Sequence, residues 1–194
     1  MSKSEYVDKE LVRQLVDGTI APDDATRLLK MSRKDQDRFH KYIEVLQEGV
    51  EWDDAILMRL TDKLFIVRNE AGGRVVKCEC GEEFGDYREN WKLSCRVRTR
   101  RTQADINKVY DPAPAAPEAE WQEIREFICP CPSAAQMAVE VVAPGYPAVF
   151  EMIPDLDTFY RDVLGEPLPD ESPDWYQDRT ADVTATWASA EQSD

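Results

Sequence analysis

The sequence predicts an α+β fold: an N-terminal helical segment followed by a small antiparallel β-sheet. Two patterns carry this expectation. Apolar residues recur at helical spacing through the first fifty positions, and from Leu64 onward they fall instead in short runs and alternations of the β type. The organisation expected is a helical arm over 1–50, a β-rich domain over 51–165 with a Pro/Ala linker at 111–117, and an acidic tail over 166–194.

In the arm, Val7, Leu11, Val12, Leu15 and Val16 form one apolar stripe. Ala21-Pro22-Asp23-Asp24 reads as a helix start, because proline suits a first helical turn and acids suit its positive end. Ser32 and Asp35 offer a cap for a further helix whose apolar face is Phe39, Tyr42, Ile43 and Leu46. His40, the single histidine, sits beside that stripe and reads as a surface or half-buried residue.

Beyond Trp52-Asp53-Asp54 the period changes. Leu64–Val67, the turn Ala71-Gly72-Gly73 and Arg74–Cys78 together predict a hairpin. Trp91 to Arg100 alternates, with Trp91, Leu93, Cys95 and Val97 on one face and Lys92, Ser94, Arg96, Arg98 and Arg100 on the other. A short helix is expected near 104–110, extended chain over 111–117, and strands over Trp121–Cys129 and Met137–Val142. The last helix spans 155–164, with Gly165 placed to end it. The tail holds eight acidic side chains against one arginine, and its Trp175, Tyr176 and Trp187 show no period. It reads as solvated chain, or else as a strap for a partner.

Of the five cysteines, four form two close pairs. Cys78-Glu79-Cys80-Gly81 and Cys129-Pro130-Cys131-Pro132 each end an expected strand and run into turn residues. Two such knuckles can converge on one ion, and four thiolates leave zinc no open position, so the site would be structural and zinc-ribbon-like. A redox-active Cys-x-Cys, inert thiols and an iron–sulfur cluster are the rival readings. Cys95, on an apolar face, reads as a packing residue.

The formal charge is −15. Such a field repels phosphate backbones and anionic lipid, so neither nucleic acid nor a membrane is expected as partner. No apolar run reaches the length of a membrane span, and MSKSEYVDKE has no secretory core, which predicts a cytoplasmic protein with reduced thiols or bound metal. Phosphate-binding glycine loops, nucleophile elbows and His-Glu-x-x-His helices are all missing, so no catalytic residue is expected on this chain. The stripe Arg96, Arg98, Arg100 and Arg101 is the one basic feature, suited to an acidic partner surface or, in a zinc-ribbon adaptor, to nucleic acid.

Several sequence words stand in a particular order: Trp52-Asp53-Asp54, Lys63-Leu64-Phe65-Ile66-Val67, Cys78-Glu79-Cys80-Gly81, Asn90-Trp91-Lys92-Leu93-Ser94, Trp121–Phe127, Cys129-Pro130 and Pro154-Asp155-Leu156. Over about residues 5–170 this set resembles the small, gamma subunit of acetone carboxylase. The resemblance implies a cytoplasmic complex with alpha and beta subunits in a hetero-hexamer, which uses ATP and bicarbonate to convert acetone to acetoacetate. It further implies that ATP and manganese are held by the large subunits and a structural zinc by this one. By position, Cys78, Cys80 and Cys129 take the family's zinc-ligand places. Around Cys131 the chain is one residue shorter than the family's Cys-Pro-x-Cys-Gly. A small subunit of a related acetophenone or higher-ketone carboxylase is the neighbouring reading.

Overall fold

A computed structural model describes residues 6–149 and 154–190; the first five and last four positions lie outside the described residues. The chain is α+β, as its periodicities predict. Three helices come first: α1 (Lys9–Val16), α2 (Pro22–Lys30) and α3 (Arg38–Glu48). The Asp8 side chain accepts from the Glu10 N–H to start α1, and Pro22 occupies the first turn of α2. Val7, Val12, Met31 and Val45 form the core of this arm. Asp35 caps no helix. Its carboxylate accepts from the Val7 backbone N–H at 3.0 Å and from Lys41 Nζ at 2.7 Å, which ties the α2–α3 connection to the start of the arm.

The β structure is divided between two antiparallel sheets. The first has the order β1-β2-β3-β4 (Ala55–Arg59, Leu64–Arg68, Arg74–Cys78, Glu83–Asp86), and the second β5-β6-β7 (Arg96–Arg100, Glu123–Ile128, Gln136–Val142). The expected hairpin is present, with Leu64 opposite Cys78 and Arg68 opposite Arg74. Strand β2 is buried along almost its whole length because α3 covers one face while the shared core lies on the other. That core draws Leu64, Ile66, Val76, Cys78 and Phe84 from the first sheet, Cys129 and Met137 from the ends of the second, and Leu156 and Leu168 from the C-terminal region.

Three local expectations are corrected. Trp91–Ser94 is not strand but a 3-10 turn, started by the Asn90 side chain accepting from the Lys92 N–H at 3.2 Å. The strand that follows is not amphipathic in the expected sense, since Val97 is 49% exposed while Arg100 is buried. Carboxylates on neighbouring strands cause this reversal. Lys92 Nζ donates to Glu140 at 2.8 Å and Arg100 pairs with Glu126 at 3.0 Å, so both cations enter the interior with a partner. Second, the short helix α4 (Gln103–Ile106) leads toward the linker, which is not extended throughout but contains the 3-10 turn Ala113–Ala115, for which proline's fixed φ is equally suited.

Third, the tail is not free chain as far as it is described. Helix α5 (Leu156–Thr158) continues through a wider turn, Phe159–Leu164, to Gly165, whose φ of +74° ends it. Leu168 is then buried, and Asp170 accepts from Arg74 Nε at 2.8 Å and also pairs with Arg68. Two guanidinium groups lie over the Trp175 indole, Arg74 at 4.7 Å and Arg88 at 4.4 Å, and the indole donates to the Asp170 carbonyl at 2.9 Å. Of the tail's aromatic rings, Trp175 packs against Tyr87 of the domain, whereas Trp187 lies on the final helix and is 51% exposed. A final helix, α6 (Thr180–Ala190), follows.

Among the described residues Arg74 is one of the most enclosed charges, at 1% exposure, and its two carboxylate partners are Asp157, equally buried, and Asp170. Removing Asp157 leaves the buried guanidinium with Asp170 as its remaining carboxylate, so Asp157→Ala should lower stability by about 3 kcal/mol, read by urea unfolding. Burial pushes the Asp170 carboxyl up, but the hydrogen bond and charge of Arg74, with Arg68, outweigh this and hold it below its usual value. Its contribution is therefore complete above about pH 4 and is lost as pH falls through the lowered value. Unfolding of Asp170→Asn should accordingly show a shallower loss of stability on acidification than the parent chain.

Candidate metal centre

The first cysteine pair lies in the β3–β4 connection. The Cys78 N–H donates to the Glu82 carbonyl at 2.8 Å and the Gly81 N–H to the Cys78 carbonyl at 2.9 Å. Gly81 has a φ of +93°, a backbone state that favours glycine, and this turns the chain sharply behind Cys80. Trp52 closes the turn from outside. Its indole N–H is shared between the carbonyls of Cys78 and Glu79, each at 3.2 Å. The second pair lies in the β6–β7 connection, where the Cys129 N–H donates to the Ala135 carbonyl at 2.9 Å and Ala134 takes a φ of +47°. Arg96 reaches across from β5 and donates to the carbonyls of Pro130 and Cys131.

These two turns, one from each sheet, meet. The sulfurs of Cys78, Cys80 and Cys129 all lie within 4.8 Å of one another, with Cys80 and Cys129 at 3.7 Å. A tetrahedral zinc with sulfurs at about 2.3 Å requires sulfur–sulfur separations of roughly 3.8 Å, so this triangle fits such an ion with little adjustment. Cys78 and Cys129 are fully buried and Cys80 is exposed, which leaves the cluster open to water on one side. Cys131 lies just beyond, sharing a hydrogen bond with Ser133 Oγ at 2.9 Å.

The thiols differ in acidity. Burial pushes Cys78 up to about 11 and Cys129 higher still. The Ser133 hydrogen bond, with those of Cys129 and Cys80, draws Cys131 down to about 6. Cys95 is separate: it is half-buried against the shared core, its sulfur lies 3.9 Å from the Trp91 carbonyl, and burial raises it to about 12. It packs as expected, although it sits at the end of the 3-10 turn and not on a strand. No carboxylate or imidazole joins the thiol triangle among the described residues. His40 stands on α3 beside Glu166 at 3.3 Å.

The arginine stripe is largely spent within the chain. Arg96 binds the second turn, Arg98 and Arg100 pair with Glu126, and Arg101 with Glu123. The expectation of a free basic face is therefore corrected, because opposing strand β6 supplies acids in register. Sequence chemistry alone missed Trp52 and Ser133 as parts of the centre. The word Trp52-Asp53-Asp54 was the only signal for the first, and Asp54 proves to hold Lys77 beside the same turn.

Comparison with known proteins identifies the family. A family model described as acetone carboxylase gamma subunit matches residues 50–164, the span that contains both turns. The acetone carboxylase gamma subunit of Xanthobacter autotrophicus is 42% identical over 169 residues, covering 86% of this chain and 98% of that one. The acetophenone carboxylase beta subunit of Aromatoleum aromaticum is 33% identical over 82 residues, which is 41% of this chain and 62% of the relative. With the whole sheet region matched and a relative aligned over nearly its full length, the chain belongs to the acetone carboxylase gamma subunit family.

Proposed function

We propose that this chain is the zinc-bearing structural subunit of an ATP-dependent ketone carboxylase that converts acetone and bicarbonate to acetoacetate. The observation that carries the reading is the joint one: nearly full-length similarity to an acetone carboxylase gamma subunit, and a thiol triangle of zinc dimensions at the place where its two sheets meet. Cys78, Cys80 and Cys129 would hold the ion and Cys131 would complete the set by release from Ser133. Bound there, zinc supplies cross-linking between the two sheets rather than an open Lewis-acid position, since four thiolates fill its coordination. Sulfur ligands favour zinc over manganese or magnesium, which prefer oxygen. ATP and manganese then belong to alpha and beta subunits, assembled with this one in a cytoplasmic hetero-hexamer.

The chain's own residues are suited to a supporting role. Trp52 and Arg96 fix the carbonyls of the two turns, and Gly81 allows the bend that presents Cys80. Metal analysis of the purified protein should give one zinc per chain. Cys78→Ser and Cys129→Ser should each abolish it and lower the thermal midpoint by about 5–10 °C, while Cys95→Ala should leave the zinc in place. Zinc retained by Cys129→Ser would remove the assignment.

The carboxylase reading is tested by producing the tagged chain together with its alpha and beta subunits. Isolation through the tag should yield both large subunits and ATP consumption that requires bicarbonate and a ketone. Turnover with acetone but not acetophenone fits the proposed substrate, and the reverse preference would assign the chain to the acetophenone branch represented by its second relative. A chain that brings down neither subunit would overturn the reading.

A further inference from the structure

Almost every cation of this acidic chain is matched, and the exceptions are clustered. Among the described residues, the lysines and arginines that form no ion pair are Lys30, Arg33, Lys34, Arg38 and Arg96. Arg96 is used by the second cysteine turn. The other four, all exposed, fall in the α2–α3 connection and its flanks; only Lys34 has a polar contact there, donating to the carbonyls of Leu28 and Leu29. The same nine positions hold Asp35, which is paired with Lys41, and Asp37, so the stretch carries four cations against two acids, a net charge of +2 in a molecule of net charge −15.

This stretch borders an apolar groove. A cavity of about 680 Å³ opens between the helical arm and the turn after α5, with Leu15, Leu28, Phe39, Phe159 and Val163 among its walls; Lys34 and Arg38 stand at its edge together with the carboxylates of Asp35, Asp37 and Glu166, of which Asp35 is held by Lys41 and Glu166 by His40. Its walls are unusually exposed for their type: Leu15 is 50% and Val163 67% exposed. Helix α2 beside it buries none of its residues, and Leu29 on it is 81% exposed, although its leucines and charges are segregated as on a helix that packs. The floor is firm, because Phe39 stacks edge-on against Phe159 at 4.9 Å and Tyr160 at 5.8 Å. Helices wall the groove and no strand edge borders it, so it suits an incoming helix better than an added strand.

We propose that this groove is the docking site for an acidic amphipathic helix carried by another subunit of the carboxylase. The proposal rests on the carboxylase reading above and specifies where the contact lies. Apolar anchors of that helix would cover Leu15, Leu28 and Val163, and its acids would meet Lys30, Arg33, Lys34 and Arg38. Rim charges of this kind act chiefly on association rate and salt dependence, whereas the apolar anchors determine how long the complex lasts.

The test uses the full chain produced with its alpha and beta subunits. The double variant Arg33→Glu/Arg38→Glu alters only exposed side chains, and its zinc content and thermal midpoint should match the parent. It should weaken binding to the large subunits about tenfold at low salt, with the difference shrinking as salt is raised. Independently, a photo-reactive residue at position 163 should cross-link to a peptide of a large subunit that carries several acids and apolar residues at helical spacing. If the parent chain binds the large subunits while the double variant binds equally well, or the cross-link joins two copies of this chain or none, the docking site is overturned and the carboxylase reading stands. If the parent chain binds no subunit, both fall together.

Discussion

Neither sheet of this protein can bury a face by itself. The four-stranded sheet is covered by α3 on one face and turns the other to a core that it shares with the end of the three-stranded sheet, so each relies on a neighbour to complete its burial. The place where they share it is fixed by Cys78 and Cys129, wholly buried at the ends of hairpins that belong to different sheets. Around these two sulfurs lie Leu64, Val76, Phe84, Trp91 and Met137. The same position therefore serves as apolar core and as candidate metal centre, and only Cys80 projects from it toward solvent. Holding an ion there would convert a contact between two small sheets into a covalent-strength joint, without adding to the size of the core.

A second constraint organises the periphery. Lys92, Arg74, Arg100 and Glu123 are buried charges, and each is matched by a partner from a distant stretch. Such pairs contribute little net stability compared with apolar packing, but an unmatched member is costly, so they select one register among competitors. Strand β5 illustrates this. Its Arg98 and Arg100 lie across from Glu126 and Ile124, and a slip of one residue would move Arg100 away from its carboxylate.

This explains which parts of the molecule were legible in the sequence. Helices α1 to α3, the β2–β3 hairpin and the strands β6 and β7 follow apolar periodicity, and periodicity is a local property. The cysteine pairs were legible because thiols at strand ends carry their own chemical meaning. The 3-10 turn at Trp91, the inverted faces of β5 and the docking of the tail were not, since each depends on a partner far along the chain: Glu140 for Lys92, Glu126 for Arg100, Arg74 for Asp170. A lysine or arginine in a strand reads as solvent-facing until the acid that accompanies it inward is known. Trp52 was hidden in the same way, because its role is to bond two carbonyls twenty-six and twenty-seven positions away.

The separation between Arg74 and its carboxylates bears on how the protein is made. Asp157 and Asp170 follow it by 83 and 96 positions. While the ribosome is still translating the middle of the message, the first sheet contains a guanidinium that cannot be enclosed except at a cost of about 3–5 kcal/mol. The nascent sheet must stay open around Arg74 until residues 157–170 emerge, so the native core closes well after the strands of the first sheet have been made. A product truncated before residue 157 retains the strands and the cysteines but keeps this cation exposed, which marks it as unfinished to the proteases and chaperones that survey new chains.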